Sequence, residues 1–91
     1  MKGIRRHIYY RGNVQGVGFR YSAVRVAANY RVRGYVKNLY DGRVELVVEG
    51  EVAEVKGFIA DLAERMRGYI MDGSEQEEPF SGEFAGFNIR F

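Results

Sequence analysis

Between Gly12 and Arg20 the chain reads Gly-Asn-Val-Gln-Gly-Val-Gly-Phe-Arg, a glycine-rich run that follows a strand-like segment and opens a helix-like one. Its glycines let the backbone curl tightly and bring bare N–H groups against a ligand. A helix N-terminus adds partial positive charge, and Arg20 adds a full charge on a planar fork of donors. These are the parts of a small anion cradle, best suited to a phosphoryl group. The plainer reading is a strand-to-helix turn with an exposed arginine. The two better-known phosphate loops do not fit. Gly18-Phe19-Arg20 stands where the P-loop needs Gly-Lys-Ser or Gly-Lys-Thr, and Tyr21 stands where the dinucleotide fingerprint needs a third small residue. A chain of 91 residues is also too short for a doubly wound nucleotide domain.

A second run, Gly34-Tyr35-Val36-Lys37-Asn38-Leu39-Tyr40-Asp41-Gly42, places Asn38 where a short strand meets its hairpin. A carboxamide donates and accepts at once, so it can hold a water in a fixed orientation. The competing reading is that Asn38 serves the turn, as Asn, Asp and Gly before a turn usually do.

The elements that must position these residues follow from hydrophobic spacing. Ile4 to Arg11 is expected as a strand, with Ile8 and Tyr10 on one face and His7 and Tyr9 on the other. Phe19 to Tyr30 has helical spacing, with Phe19, Ala23, Val26, Ala27 and Tyr30 on one stripe. Gly34 to Asn38 is a second strand, and Asp41-Gly42 a hairpin signal. Val44, Leu46 and Val48 alternate with charged neighbours as the clearest strand. Val52 to Arg67 is a second helix, its stripe formed by Val52, Val55, Ile59, Leu62 and Met66; Gly57 interrupts it at a cost of about 1 kcal/mol against Ala. A further strand begins near Tyr69. Residues Asp72 to Gly82, with three glutamates before the only proline, are expected as part strand and part acidic loop. Phe84 to Phe91 ends the chain as a strand. The order βαββαβ predicts an α+β fold, a ferredoxin-like sandwich with an antiparallel sheet and both helices on one face.

Composition sets the outer limits. The length gives one domain, residues 1–91, with a modest core that a 46% hydrophobic content and 7 Tyr and 6 Phe can fill. There are no cysteines and one histidine, His7, which is expected as a surface strand residue; a Cys/His zinc site and a Ser-His-Asp triad have no residues to draw on near the cradle. The polar start Met1-Lys2-Gly3-Ile4-Arg5-Arg6 has no apolar run of signal-peptide length, and no later segment is long enough to span a membrane, so the cytoplasm is the expected compartment. The balance of 14 basic to 12 acidic residues favours small anions and gives little reason to expect nucleic acid.

Taken together, the two runs resemble the acylphosphatase family. Gly12 to Arg20 and Gly34 to Gly42 look like its two signatures at the right separation. The likeness continues through Val44 to Gly50 and returns around Gly86-Phe87-Asn88-Ile89. The resemblance implies the ferredoxin-like sandwich already read from the element order, and hydrolysis of the carboxyl-phosphate bond of acyl phosphates to carboxylate and inorganic phosphate. By resemblance, Arg20 is the phosphate-binding arginine, Asn38 orients the attacking water, and the main-chain amides of Gln15, Gly16, Val17, Gly18 and Phe19 complete the cradle. No metal and no cofactor are expected, because a carboxylate of low pKa leaves without a strong acid. Inorganic phosphate or sulfate is the expected ligand, and a free-standing monomer the expected form. Arg31, Tyr40 and the segment Gly68 to Glu83 depart from the family pattern without touching Arg20 or Asn38. Two alternatives stay open: a domain of this kind that binds carbamoyl phosphate without turnover, and a ferredoxin-like nucleic-acid module using Tyr9, Tyr35 and the arginines at 5, 6, 11, 31 and 33, although the RNA-module strand signature is absent.

Overall fold

Ile8 and Tyr10, Val36, and Val44, Leu46 and Val48 lie on three stretches in which apolar and polar residues alternate, and each stretch is a strand with those side chains buried on one face. The computed structural model describes residues 3–91; Met1 and Lys2, the first residues of the polar start, lie outside them. The elements run β1 (Gly3–Gly12), α1 (Phe19–Ala27), β2 (Val32–Asn38), β3 (Val44–Glu51), α2 (Val52–Arg65), β4 (Ile70–Glu78) and β5 (Phe87–Arg90). Among the described residues no helix is long and apolar enough to cross a membrane.

The strands form one sheet in the order β4-β1-β3-β2-β5. The first four pair antiparallel, as expected, and both helices pack on one face. The last strand differs: β5 lies parallel to β2, so the sheet is mixed. The reason is the route of the chain. β4 ends beside Arg5, at the end of the sheet away from the glycine loop. Residues 79–86 then cross to the opposite edge without changing ends, and β5 starts beside Gly34 and runs with β2.

Phe19, Ala23, Val26 and Ala27 of α1 reach the core, and α1 stops at Ala27, before Tyr30. In α2 the buried residues are Val55, Phe58 and Leu62, joined by Met66 beyond its end; Val52 is 41% exposed and Ile59 only partly buried, and Phe58, which the expected stripe did not include, is fully buried. Burying a side chain such as Phe58 contributes about 1.5–3 kcal/mol. The face of the sheet away from the helices is partly covered by the crossing segment. Glu49 of β3, 2% exposed, accepts hydrogen bonds there from the Ser81 N–H (2.9 Å), the Ser81 hydroxyl (2.8 Å), the Gly82 N–H (2.9 Å) and Arg5 Nη1 (3.2 Å). One buried carboxylate thus holds the strap down. His7, on the same face, is not a free surface residue: Nδ1 lies 2.8 Å from Glu78 and Nε2 2.8 Å from Glu45.

Two stability effects follow. Gly34 has φ +148°, and a Cβ there would be driven into the Val47 carbonyl of the neighbouring strand. Gly34→Ala is therefore expected to destabilise by more than about 3 kcal/mol, from backbone strain and overpacking; chemical denaturation showing less than about 1 kcal/mol would contradict this packing. Burial alone would push the Glu49 carboxyl up, but the bonds from Ser81, Gly82 and Arg5 outweigh it and hold it below the ordinary range. His7 and Arg5 likewise hold Glu78 low. Carboxyls with depressed folded values stabilise above the unfolded carboxyl pKa, about 4, and lose that contribution as pH falls through the lower folded values. Tm should fall as pH drops below about 4, and Glu49→Gln should lower Tm at neutral pH and flatten the fall, checked by thermal melts across pH.

Candidate active site

The loop between β1 and α1 is fixed at both ends by apolar residues and open in the middle. Val14 is fully buried, and Phe19, the first residue of α1, packs its ring 5.0 Å from that of Tyr10 at the end of β1. Burial also pushes the Tyr10 hydroxyl well above its ordinary pKa, which keeps it neutral in the core. Between these pins Gly16 (φ +77°) and Gly18 (φ +76°) are exposed, and a Cβ on either would meet nothing within 4 Å. Side chains rarely adopt that conformation, so glycine is needed for the curl even where space is free.

The curl leaves donors unused. Among the described residues none of the main-chain N–H groups from Gln15 to Tyr21 meets an acceptor, and the first helical bond of α1 is Ser22 N–H to Gly18 O at 2.9 Å. Gly18 caps the helix without a side-chain bond, and the first turn has no acidic residue to neutralise the dipole. The Arg20 guanidinium lies 5.2 Å from the centre of the Phe91 ring, and among the described residues it pairs with no carboxylate.

Asn38 is the last residue of β2. Its Oδ1 is buried and, among the described residues, has no hydrogen-bond partner. The hairpin does not use it: Leu39 N–H bonds to Arg43 O (2.8 Å), Gly42 N–H to Leu39 O (3.2 Å), and the Asp41 carboxylate accepts Arg43 N–H (3.1 Å) and Nε–H (2.8 Å). Asp41 is the turn-forming residue, and among the described residues the Asn38 side chain is left free. Asn38 and Arg20 line one cleft of about 240 Å³ with Val14, Gly16, Gly18, Phe19 and Tyr21. A second cleft of about 460 Å³ shares Asn38 and is lined by Gln15, Lys37, Leu39, Tyr40 and Phe91. Val17 of the loop packs against the core and lines neither. The sequence reading missed the Gln15 side chain, whose Nε2–H donates to Leu39 O (2.7 Å) and Arg43 O (3.0 Å); glutamine beside glycine carries no local signal for a contact made 24 and 28 residues away.

A row of unpaired amides and a free guanidinium, facing a carboxamide across a small cleft, is the equipment of a phosphoryl-transfer protein on a ferredoxin-like α+β fold. The comparisons narrow the class. A sequence profile of the Acylphosphatase family matches residues 6–89. The acylphosphatase of Synechococcus sp. is 41% identical over 88 residues, spanning 96% of this chain and 93% of that protein. That of Moorella thermoacetica is 52% identical over 59 residues, spanning 65% of this chain and 63% of that protein. The crystal structure of acylphosphatase from Bacillus subtilis superposes with a TM-score of 0.86 at 30% identity, covering 97% of this chain and 99% of that one. The chain belongs to the acylphosphatase family, and its activity is that of an acylphosphatase, hydrolysis of the carboxyl-phosphate bond.

If Arg20 supplies the charged contact to the phosphoryl group, Arg20→Ala should lower kcat/KM on the order of 10²–10³ and weaken inhibition by inorganic phosphate in parallel. Arg20→Lys should recover only part, because an ammonium lacks the planar fork. Near-normal turnover in the alanine variant would remove Arg20 from the site.

Proposed function

We propose that an acyl phosphate binds with its phosphoryl group in the loop, where the amides of Gln15, Gly16, Val17, Gly18 and Phe19 and the Arg20 guanidinium contact its oxygens, and that Asn38 holds the attacking water. The observation that carries the proposal is the buried, partnerless Oδ1 of Asn38 beside a loop of free amides. A buried acceptor without a partner costs about 1–3 kcal/mol, and a water donating to it removes that penalty. The water oxygen forms a bond to phosphorus as the bond from phosphorus to the acyl oxygen breaks, and the carboxylate departs with the bonding pair. A non-bridging phosphate oxygen of the substrate takes the water's proton, so the reaction uses no protein acid or base. Charge on the equatorial oxygens is stabilised by groups already in place, which is most of what phosphoryl transfer requires.

This reading includes one catalytic domain over residues 1–91, acting as a cytoplasmic monomer without metal or cofactor and binding inorganic phosphate or sulfate as product-like ligands. The nucleic-acid alternative finds no support in the aromatic residues it would use. Tyr9 is stacked on His7 and covered by Arg43 at 4.5 Å, and Tyr35 is covered by Arg90 at 4.0 Å. Binding of carbamoyl phosphate without turnover is separated by one assay of hydrolysis with a synthetic acyl phosphate.

Asn38→Ala should separate chemistry from binding. Its kcat is expected to fall strongly while the inhibition constant of phosphate stays within about three-fold, the signature of an interaction made mainly in the transition state. The fold should be kept, at a cost under about 2 kcal/mol. The check is kcat and phosphate inhibition on protein shown to be folded by circular dichroism; wild-type kcat would leave the water without a holder.

A further inference from the structure

Gln15 is placed in the cradle through its main-chain N–H, but its side chain points elsewhere. Both hydrogens of the carboxamide nitrogen are committed to main-chain oxygens, Leu39 O at 2.7 Å and Arg43 O at 3.0 Å. These are the same two carbonyls that close the hairpin, through Gly42 N–H and Leu39 N–H. Leu39 is the residue after Asn38. Tyr10, at the root of the cradle, and Asn38 both pair with Val44, so they stand two strand spacings apart, about 10 Å. One primary amide bridges the loop to the turn across that gap, in a plane fixed by two bonds.

We propose that Gln15 is a positioning residue: its carboxamide sets the distance and angle between the phosphoryl group in the cradle and the water on Asn38. The proposal rests on the role of Asn38 given above. Among the described residues Asn38 has no side-chain bond of its own to fix it, and Gly16 and Gly18, exposed on either side of Val17, bring no side chain to steady the loop. Val14, Val17 and Phe19 hold the loop to the core, and the Gln15 side chain holds it to the turn. The sheet sets the register of the two halves through Val44, and the Gln15 bridge is the side-chain link that then ties the loop itself to the turn after Asn38, whereas each half keeps its own groups without it. Loss of the bridge should impair attack and spare phosphate binding.

The test is a double-mutant cycle with a synthetic acyl phosphate as substrate and inorganic phosphate as inhibitor, on wild type, Gln15→Met, Asn38→Ala and the double variant. Methionine keeps length and volume but has no donor. Gln15→Met should lower kcat by about 10- to 100-fold, as misplacement of reacting groups by about 1 Å does, and leave the phosphate inhibition constant within about three-fold. In the Asn38→Ala background the same substitution should change kcat by less than about three-fold, because the residue it acts through is gone. Gln15→Glu supplies a second reading: a carboxylate cannot donate to either carbonyl, whereas a carboxylic acid can donate to one of them, so its kcat relative to wild type should recover in part as pH falls through its titration. The proposal is overturned if Gln15→Met keeps kcat within about two-fold, if phosphate affinity falls in step with kcat, or if the two substitutions multiply fully. It is overturned too if the Gln15→Glu ratio is flat with pH. A slow Asn38→Ala protein beside a full-speed Gln15→Met protein removes the bridge alone, whereas an Asn38→Ala protein of wild-type kcat removes the role of Asn38 and the bridge with it.

Discussion

A binding site made of main-chain N–H groups has to leave those groups without partners in the folded protein. A buried N–H without an acceptor costs about 1–3 kcal/mol, and several in succession would rival the whole stability of a small domain. The loop from Gln15 to Tyr21 meets this constraint by position. It lies at one end of the sheet with Gly16 and Gly18 exposed to solvent, which spares its amides the cost of burial. Exposure alone would leave it shapeless. The burial of Val14 and Phe19 restores shape at its two ends, so the donors sit on a firmly anchored loop and remain unused.

The sheet supplies the second half of the geometry. β1 and β2 run in the same direction, with β3 antiparallel between them, so the loop that follows β1 and the residue that ends β2 reach the same end of the sheet. Val44 pairs with both Tyr10 and Asn38, which locks the register of the two halves across one buried residue. A slip of one residue in the β2–β3 pairing would turn Asn38 to the other face and take Val36 out of the core with it, so the hydrophobic pattern that forms the core is the same pattern that aims the carboxamide. Fold and site share one determinant here.

That sharing explains what was legible in the sequence. The glycine run, Arg20, Asn38 and strands β1 to β3 are local patterns, and their spacing is visible in the residues themselves. β4 is different. Its residues from Met71 to Glu77 are all exposed, so no alternation marks it, and the acidic run Glu75 to Glu78 resembles a solvated loop. It is a strand because Arg5, Arg6 and His7 lie opposite on β1: Arg6 pairs with Glu75 and Glu77, Arg5 and His7 with Glu78. The signal is charge complementarity across some 70 positions, which local periodicity does not register. Phe84 misled in the opposite sense, since it reads as strand yet lies in the strap, against Tyr35 and under Arg5 and Arg90. Gly57 reads as a weakness in α2, but a Cβ there would stand 2.7 Å from the Tyr30 ring, so the gap accommodates a neighbour.

The two ends of the sheet have separate physical tasks. At one end Arg5, Glu49, Glu78, Ser81 and Gly82 form a charged, hydrogen-bonded fastening that carries the chain from one edge to the other. At the other end the loop, Arg20 and Asn38 stand free of ion pairs with any described carboxylate. From Arg5 to Gly12 the distance along β1 is roughly 20 Å, well beyond a Debye length at physiological salt. The glutamates that hold the strap therefore lie too far from the cradle to compete for Arg20 or to repel a phosphoryl group through solvent. The strap's glutamates stand at the fastening end and the unpaired donors of the loop at the other. The path between them runs through β1, whose tyrosine at position 10 buttresses the cradle and whose arginine at position 5 anchors the strap.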